Sequence, residues 1–290
     1  MDSSSVPLRK PKWLKVQAPG SHDYIEVQKL VDSLKLHTVC KEARCPNIGE
    51  CWGSRTATFL ILGETCTRAC SFCAVKHALG QTLPLPDATE PQKVGEAVKQ
   101  LGLKHAVITS VTRDDLPDGG AEHYAKTVRA IHKEAPSCTV ELLISDLLGS
   151  KVDLTTILEA GINILNHNLE TVKRLYPRVR PQGDYQRSLN ILRWAKEINP
   201  NLRTKSGIMV GLSETKEEVL SLMDDLRDVE VDIMTIGQYL RPSDQQLPVK
   251  EYITPQHFEE YKQEGLKRGF LFVESAPFVR SSYHAREHVK

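Results

Sequence analysis

The sequence has no run approaching the roughly 18 consecutive apolar residues that a membrane-spanning helix needs. Its densest apolar stretch, Thr58-Phe59-Leu60-Ile61-Leu62, is strand-sized. A membrane protein is excluded. Nor is there an excess of charge of one sign: 38 Lys+Arg stand against 37 Asp+Glu, a net charge of +1. Proteins held to nucleic acid by bulk phosphate electrostatics carry a basic surplus, and this chain has none. No GxGxxG follows the first predicted strand and no phosphate-loop pattern is present, so nucleotide-binding folds lose ground. An apolar signal segment is also missing, and the cysteine total is odd, at seven. Both argue against a secreted disulfide framework and for thiols in a reducing compartment, with a cytoplasmic location expected.

What is present is ordinary in amount and uneven in distribution. The 290 residues are 40% apolar and 26% charged, enough for one barrel-sized core that would use nearly all of the chain. The first ~20 residues mix Ser3-Ser4-Ser5 with Arg9-Lys10-Pro11-Lys12 and bury too little to form a core alone. They read as a wrapping or solvated segment more than as a transit peptide. From Thr56 onward, β-rich runs alternate with amphipathic ones. Strands are predicted at Thr58–Leu62, His105–Val111, Thr139–Ile144, Ile162–Asn166, Arg203–Gly211, Ile233–Gln238 and Leu271–Glu274. Helices are predicted at Pro91–Leu101, Ala121–Glu134, Leu154–Ala160, Tyr185–Ile198, Lys216–Asp228 and Pro255–Arg268. Thr215 and Thr254 are predicted N-caps. Even strand–helix units of about 30 residues call for parallel strands and right-handed crossovers, hence a closed or partly open β/α barrel. Chemistry in such barrels sits at the C-terminal ends of strands, and the first strand runs directly into Gly63-Glu64-Thr65-Cys66.

Six of the seven cysteines lie between Cys40 and Cys73, where uniform scatter would put about one. They form two triplets, Cys40-x4-Cys45-x5-Cys51 and Cys66-x3-Cys70-x2-Cys73. Structural zinc sites close a tetrahedron with paired C-x2-C hooks, which neither triplet offers. The spacing of two-cluster ferredoxins is missed as well. Three thiolates on a four-iron cluster leave one iron with an exchangeable position. An electron carrier gains nothing from that vacancy, whereas a cluster that must bind a reactant requires it.

The spacing C-x3-C-x2-C after a first barrel strand, with Phe72 before its last cysteine, resembles the radical S-adenosylmethionine (SAM) superfamily. The upstream triplet and Arg280-Ser281-Ser282-Tyr283 narrow the resemblance to the lipoyl synthase family, over essentially the whole chain from Lys10-Pro11-Lys12-Trp13-Leu14 onward. The resemblance implies a partial (β/α)6 TIM-type barrel over residues 56–275. An N-terminal extension (1–55) and a C-terminal segment (276–290) would lie over its mouth. It implies a SAM-binding 4Fe-4S cluster on Cys66, Cys70 and Cys73, whose electron cleaves the sulfonium to a 5′-deoxyadenosyl radical. A second 4Fe-4S cluster on Cys40, Cys45 and Cys51, with Ser282 as fourth ligand, would be dismantled as the sulfur donor. The two sulfurs would go to C6 and C8 of an octanoyl chain on a lipoyl carrier protein, such as the H protein of glycine cleavage or an acyltransferase subunit of a 2-oxoacid dehydrogenase. A ferredoxin or flavodoxin would supply electrons, and neither nucleic acid nor membrane would be a partner.

Beyond the cysteines, Asn166-His167-Asn168-Leu169-Glu170 points polar groups where a barrel site should lie. The resemblance puts Asn168 and Glu170 near the ribose and amino group of SAM. A solvated strand-end turn is the alternative, and His167 reads equally as a hydrogen-bonded histidine or a ligand. Ser110 is a second strand-end candidate, and Phe72 would lie against the adenine unless it is simple packing. Gly119-Gly120 is a turn signal first. Arg178 and Arg180 could hold a carboxylate or form a solvated face, and Cys138 reads as structural. Ser281 and Ser282 could instead hydrogen-bond a tail across the mouth. The basic N-terminus could dock an acidic carrier surface, though a solvated tail is the plainer reading. Three rivals remain at this point: a biotin-synthase-type sulfur inserter, a non-catalytic iron–sulfur electron carrier, and a zinc-dependent nucleic-acid module.

Overall fold

A computed structural model of the chain describes residues 9–16, 18–54, 56–283 and 285–289. Ser3-Ser4-Ser5 lies outside them. The alternating pattern folds as alternating elements. Strand β2 (Thr58–Ile61) is followed by α4 (Glu90–Leu101), β5 (His105–Ser110) by α5 (Ala121–Glu134), and β6 (Thr139–Leu143) by α6 (Lys151–Leu158). Then come β7 (Ile164–Asn166) with α7 (Tyr176–Val179) and α8 (Tyr185–Ile198), β8 (Arg203–Val210) with α9 (Lys216–Arg227), β9 (Ile233–Gln238) with α10 (Pro255–Lys267), and last β10 (Phe272–Ser275). These strands pair in parallel in chain order, from β2 to β10. A two-residue strand β1 (His37–Thr38) covers the β2 edge antiparallel. With β1 and β10 as its edges, the sheet is an α/β partial barrel of six strand–helix units completed by a seventh parallel strand. No helix of the described residues is long and apolar enough to cross a membrane.

Local chemistry explains the boundaries. Thr215 caps α9 through a reciprocal box with Glu218, and the Thr254 hydroxyl accepts from the His257 N–H at the start of α10. Helices α5 and α8 bury one stripe each, including Tyr124, Val128 and Ile131 on α5 and Leu189, Leu192 and Ala195 on α8. Helix α6 begins three residues earlier than its apolar pattern suggests, because Ser150 accepts the Asp153 N–H and opens the helix at Lys151. Strand β7 starts at Ile164, two residues late; the Asn163 side chain accepts the Val140 N–H and ends the turn there. Residues 22–53 carry α1 (His22–Ser33), α2 (Val39–Glu42) and α3 (Ile48–Gly53), none of which the sequence pattern marks. Helices of four and six residues are too short to show a period of 3.6.

The barrel interior holds a buried polar cluster between β5, β6, β7 and β8. Lys205 and Glu141, both fully buried, pair at 3.0 Å, and Asn166 Nδ2 donates to the same carboxylate at 2.8 Å. His105 Nε2 stands 3.6 Å from it. Burial alone would raise the Glu141 carboxyl, but the Lys205 charge and these neighbours outweigh it and hold it well below the usual carboxylate range. A depressed carboxyl stabilises the fold at and above the pH where it titrates unfolded, and that contribution fades as the pH falls below about 4. Removing one partner strands the other charge in the interior. Lys205→Met is therefore expected to cost about 3–5 kcal/mol at pH 7, and to flatten the loss of stability between pH 5 and 3 as read by urea unfolding. Unchanged midpoints at both pH values would show that the pair is energetically idle.

The C-terminal segment does more than cross the mouth. After β10 it passes the upper part of β9, where the Pro277 carbonyl accepts the Gln238 N–H at 3.2 Å. It then descends to a 3₁₀ helix, Ala285–Val289, whose His288 is fully buried against Lys205 at 3.4 Å and against the Phe272 ring.

Candidate active site

Strand β2 ends in two left-handed residues, Leu62 (φ 69°) and Gly63 (φ 94°), which turn the chain across the mouth. The next segment carries the second cysteine triplet and is bound at many points. Short parallel strands β3 (Thr65–Cys66) and β4 (Lys76–His77) close its base. Arg68, buried between Cys66 and Cys70, forks onto Asp114 at 2.6 and 2.9 Å and reaches Asp146 at 2.6 Å. Asp146, itself fully buried, also receives Arg187 of α8 at 2.8 Å. Burial would raise the Asp146 carboxyl, but the paired cations pull it down to about 2. The Ser71 N–H and hydroxyl hold the Val179 and Arg178 carbonyls, and Gln246 donates to the Cys73 carbonyl at 3.1 Å. The loop is thus fixed to the ends of β5 and β6, the β7–α8 connection and the β9–α10 connection.

Its thiols converge. Cys66 Sγ accepts the Thr112 N–H at 3.3 Å, and Cys73 Sγ accepts the Val75 N–H at 3.4 Å. Burial, and then proximity to the other cysteines and Glu170, pushes the Cys73 thiol up to about 12. Burial likewise lifts Cys70 to about 11, against the pull of Arg180. Thiols this hard to ionise become thiolates only when a metal replaces the proton.

Beside them stands the end of β7. Asn168 Nδ2 donates to Glu170 Oε1 at 3.1 Å, while Asn168 Oδ1 is buried without a partner among the described residues. Glu170 takes a left-handed conformation (φ 67°) and bridges to Ile208, which turns it back over the mouth. A Cβ at Gly207 would come within 2.9 Å of Asn168 Oδ1 and 2.4 Å of Thr235 Oγ1, so only glycine keeps this corner open. Arg180 is buried here, donating to the Asn168 carbonyl at 2.9 Å and the Tyr176 hydroxyl at 3.1 Å. Burial raises the Glu170 carboxyl, with Arg180 opposing. Three converging thiols, an unpartnered amide oxygen and an open corner fit a thiolate-held cluster with a polar, amino-acid-like ligand beside it.

The first triplet forms its own group on the N-terminal extension. Cys40 lies in α2, Cys45 just beyond it and Cys51 in α3. Burial first, then the neighbouring cysteines, raises Cys40 to about 11 and Cys51 to about 12. The segment around Arg280–Tyr283 packs against this group. Asn47 donates to the Phe278 carbonyl at 2.6 Å, and the Tyr283 hydroxyl meets Glu50 at 3.2 Å. The Arg280 guanidinium lies within electrostatic reach of both Cys45 and Glu170, between the two groups. Among the described residues, the one set of metal-type donors all within 4.8 Å of one another is His22, Asp23 and Glu26 on the exposed start of α1. Neither triplet is drawn in that tightly, as thiolates about 2.3 Å from a single zinc would be.

The remaining candidates divide. Ser110 lies at the end of β5 and accepts from the buried Tyr124 hydroxyl at 2.8 Å. Phe72 packs against the apolar cluster that contains Leu169 and Val172. His167 is fully buried with Nδ1 on the Ile144 carbonyl at 2.9 Å; burial and Arg180 push it down to about 4, so it is a neutral, hydrogen-bonded histidine. Arg178 is exposed, so of the two arginines only Arg180 joins the site. Cys138 is buried in the core, as a structural cysteine would be. Gly120 begins α5 as a turn. Sequence reasoning missed Arg68, whose place between two cysteines was the available signal, and Gly207, for which there was none.

Fold and cysteine loop together define a class. Residues 60–226 match the model of the radical SAM superfamily, whose members work with a 4Fe-4S cluster and SAM. The fold is shared with methylornithine synthase (TM-score 0.57, 16% identity, 87% of this chain and 76% of that one). It is shared too with the hydrogenase maturase HydG (TM-score 0.58, 15% identity, 92% and 73%). Within that class, residues 2–45 match the N-terminal domain of lipoyl synthase. The chain is 56% identical to the lipoyl synthase of Rubrobacter xylanophilus, over 97% of its own length and 87% of that protein. It is 54% identical to the lipoyl synthase of Caldanaerobacter subterraneus subsp. tengcongensis, over 96% of each. The chain belongs to the lipoyl synthase family, enzymes of the radical SAM sulfurtransferase type. The biotin-synthase-type, electron-carrier and zinc-module readings fall away.

Proposed function

We propose that the chain inserts two sulfur atoms, at C6 and C8, into an octanoyl chain amide-linked to a lysine of a lipoyl carrier protein. Cys66, Cys70 and Cys73 would hold the SAM-binding cluster. Cys40, Cys45, Cys51 and Ser282 would hold a second four-iron cluster as sulfur donor. When bound, the first cluster and SAM supply the electron and the carbon radical that no side-chain acid or base can make. The protein's own task is placement. Arg68, clamped by Asp114 and Asp146, fixes the loop that presents the three thiols. Asn168 and Glu170 would stand near the ribose and amino group of SAM, Arg180 holds the backbone that carries Asn168, and Ser110 and Phe72 would complete the adenosine side.

The observation that carries the reading is the contact of residues 278–283 with the first triplet, through Asn47 to Phe278 and Tyr283 to Glu50. That contact supports the reading in which the turn that bears Ser282 completes the ligand set of the first triplet. Residues 1–55, 56–275 and 276–290 accordingly act as donor-cluster arm, SAM barrel and closing segment. Carriers such as the H protein or 2-oxoacid dehydrogenase acyltransferase subunits, a ferredoxin or flavodoxin donor and a cytoplasmic setting complete the proposal. Anaerobically reconstituted protein is expected to carry about eight irons and about eight sulfides per chain. With SAM and reductant it should add two sulfurs to an octanoylated carrier peptide, read by mass spectrometry. Iron near four per chain, or a peptide of unchanged mass, would remove the donor assignment.

A further inference from the structure

We propose that His288, seated on the charged floor of the barrel, is a positioning residue that sets where the Arg280-Ser281-Ser282-Tyr283 turn stands against the first cysteine triplet. The inference rests on the reading of Ser282 given above and adds a part that the family motif does not contain.

The C-terminal segment is fixed at two levels of the barrel. The upper anchor is backbone. Gln238 donates to the Pro277 carbonyl and Asn47 to the Phe278 carbonyl, and Arg280 Nη1 turns back onto the Val279 carbonyl at 2.6 Å. A Cβ at Gly237 would come within 2.1 Å of the Val279 carbonyl oxygen, so this glycine admits the tail to the inner face of β9. The lower anchor is His288. Arg203 donates to its carbonyl, its Nδ1 faces Lys205 Nζ at 3.4 Å, and its ring lies 5.5 Å from that of Phe272. The Arg203 guanidinium also covers the Phe272 ring at 5.8 Å. Ile233 pairs with Lys205 and Gly237 with Met209, so the anchors are separated by four residues of strand, roughly 13 Å.

Ser282 lies on the span between them. The Tyr283 N–H reaches the Arg280 carbonyl and the Ala285 N–H the Ser282 carbonyl, which makes that span a folded turn leading into the 3₁₀ helix. Beyond Ser282 the Tyr283–Glu50 bond is exposed, so the buried His288 is the firmer hold on that end of the turn, and a turn held at both ends samples few positions. That restriction matters for an oxygen ligand. A serine hydroxyl is a harder and poorer donor to iron than the thiolates beside it. It competes for a coordination site only at high effective concentration, which falls as its tether slackens. The burial of a histidine against Lys205, Arg203 and Phe272 then has a purpose: it fixes the far end of the span.

The test compares His288→Ala and His288→Gln with the wild-type protein, two readouts being independent of turnover. In metal-free protein, tryptic cleavage after Arg280 and Arg286 should speed up at least about tenfold in His288→Ala and less in His288→Gln, which keeps a polar group facing Lys205. After reconstitution, iron in His288→Ala should fall from about eight toward about four per chain, while 5′-deoxyadenosine formation stays within twofold of wild type. His288→Gln should retain more iron. Wild-type protection and wild-type iron in His288→Ala would overturn the proposal. So would loss of both clusters together, which is what a merely structural role produces. Ser282→Ala separates the two ideas. If that variant keeps full iron and makes lipoyl product, the reading of Ser282 has failed whatever His288 does. If it loses the second cluster while His288→Ala keeps it, only the present inference has failed.

Discussion

Cys66→Ala, Cys70→Ala and Cys73→Ala proteins should each form 5′-deoxyadenosine at background level, a loss of about a thousandfold or more, because no side chain offers a parallel route to the radical. The three thiols have no substitute within the loop. Its other polar groups are already engaged: Arg68 with Asp114 and Asp146, Thr67 with the Thr112 carbonyl, and Ser71 with the Arg178 carbonyl. That same saturation predicts that the variants stay folded. Most contacts that shape the loop use backbone, Arg68, Ser71 and Gln246; Cys66→Ala and Cys73→Ala each give up one weak N–H···S contact, and a half-buried thiol reduced to a methyl leaves only a small void. The thiols are raised by burial and by one another, so removing one also removes a source of crowding. The measurement is chromatographic quantification of 5′-deoxyadenosine with dithionite as reductant, alongside iron content and a thermal unfolding curve. A folded variant that keeps a tenth of wild-type cleavage would mean that the corresponding cysteine is not a cluster ligand.

The parts of this molecule legible in its sequence are those set by local period and local spacing. Helices α5 and α8 and strand β9 fall at their predicted limits because each has a full amphipathic or β-branched pattern and clear flanking signals. Both cysteine groups could be read from their spacing, since each is assembled within a short segment. Contacts made by topology were not legible. Arg180 could not be told from Arg178 by sequence, because what separates them is their place at the end of α7, where Arg178 faces out and Arg180, just past the last residue, turns in and is buried. Gly207 and Asn168 meet only because β7 and β8 are neighbours in the sheet. His288 sits beneath a barrel whose interior charges, Lys205 and Glu141, look like ordinary surface residues in the sequence. The alternation of β6 and β8 turns both inward, and each finds its counter-charge there.

The second prediction separates the two cysteine groups by phenotype. Replacing Cys40, Cys45 or Cys51 by Ala should leave SAM cleavage measurable, within about a factor of ten of wild type, while formation of the lipoyl product falls below detection. The separation follows from where the groups sit. The first triplet rides on α2, α3 and the turn between them, whereas the thiols of the second are held by the barrel's strand ends. Each group's thiols are raised mainly by burial and by members of the same group, as expected of two sites and not one. On the proposed reading Ser282 goes with the first. Its turn is held to that group by Asn47 and by Glu50, so Ser282→Ala should also keep cleavage and lose sulfur insertion. Ser282→Cys should go further and trap an inert cluster, because a fourth thiolate binds iron more firmly than an alkoxide and resists the release that sulfur donation demands. The assay is mass spectrometry of an octanoylated carrier peptide, paired with 5′-deoxyadenosine measured in the same reaction. The informative outcome is uncoupling: radical formed, sulfur not transferred. Lipoyl product at wild-type yield from Cys40→Ala or Ser282→Ala would mean that the sulfur comes from somewhere other than the group these residues hold.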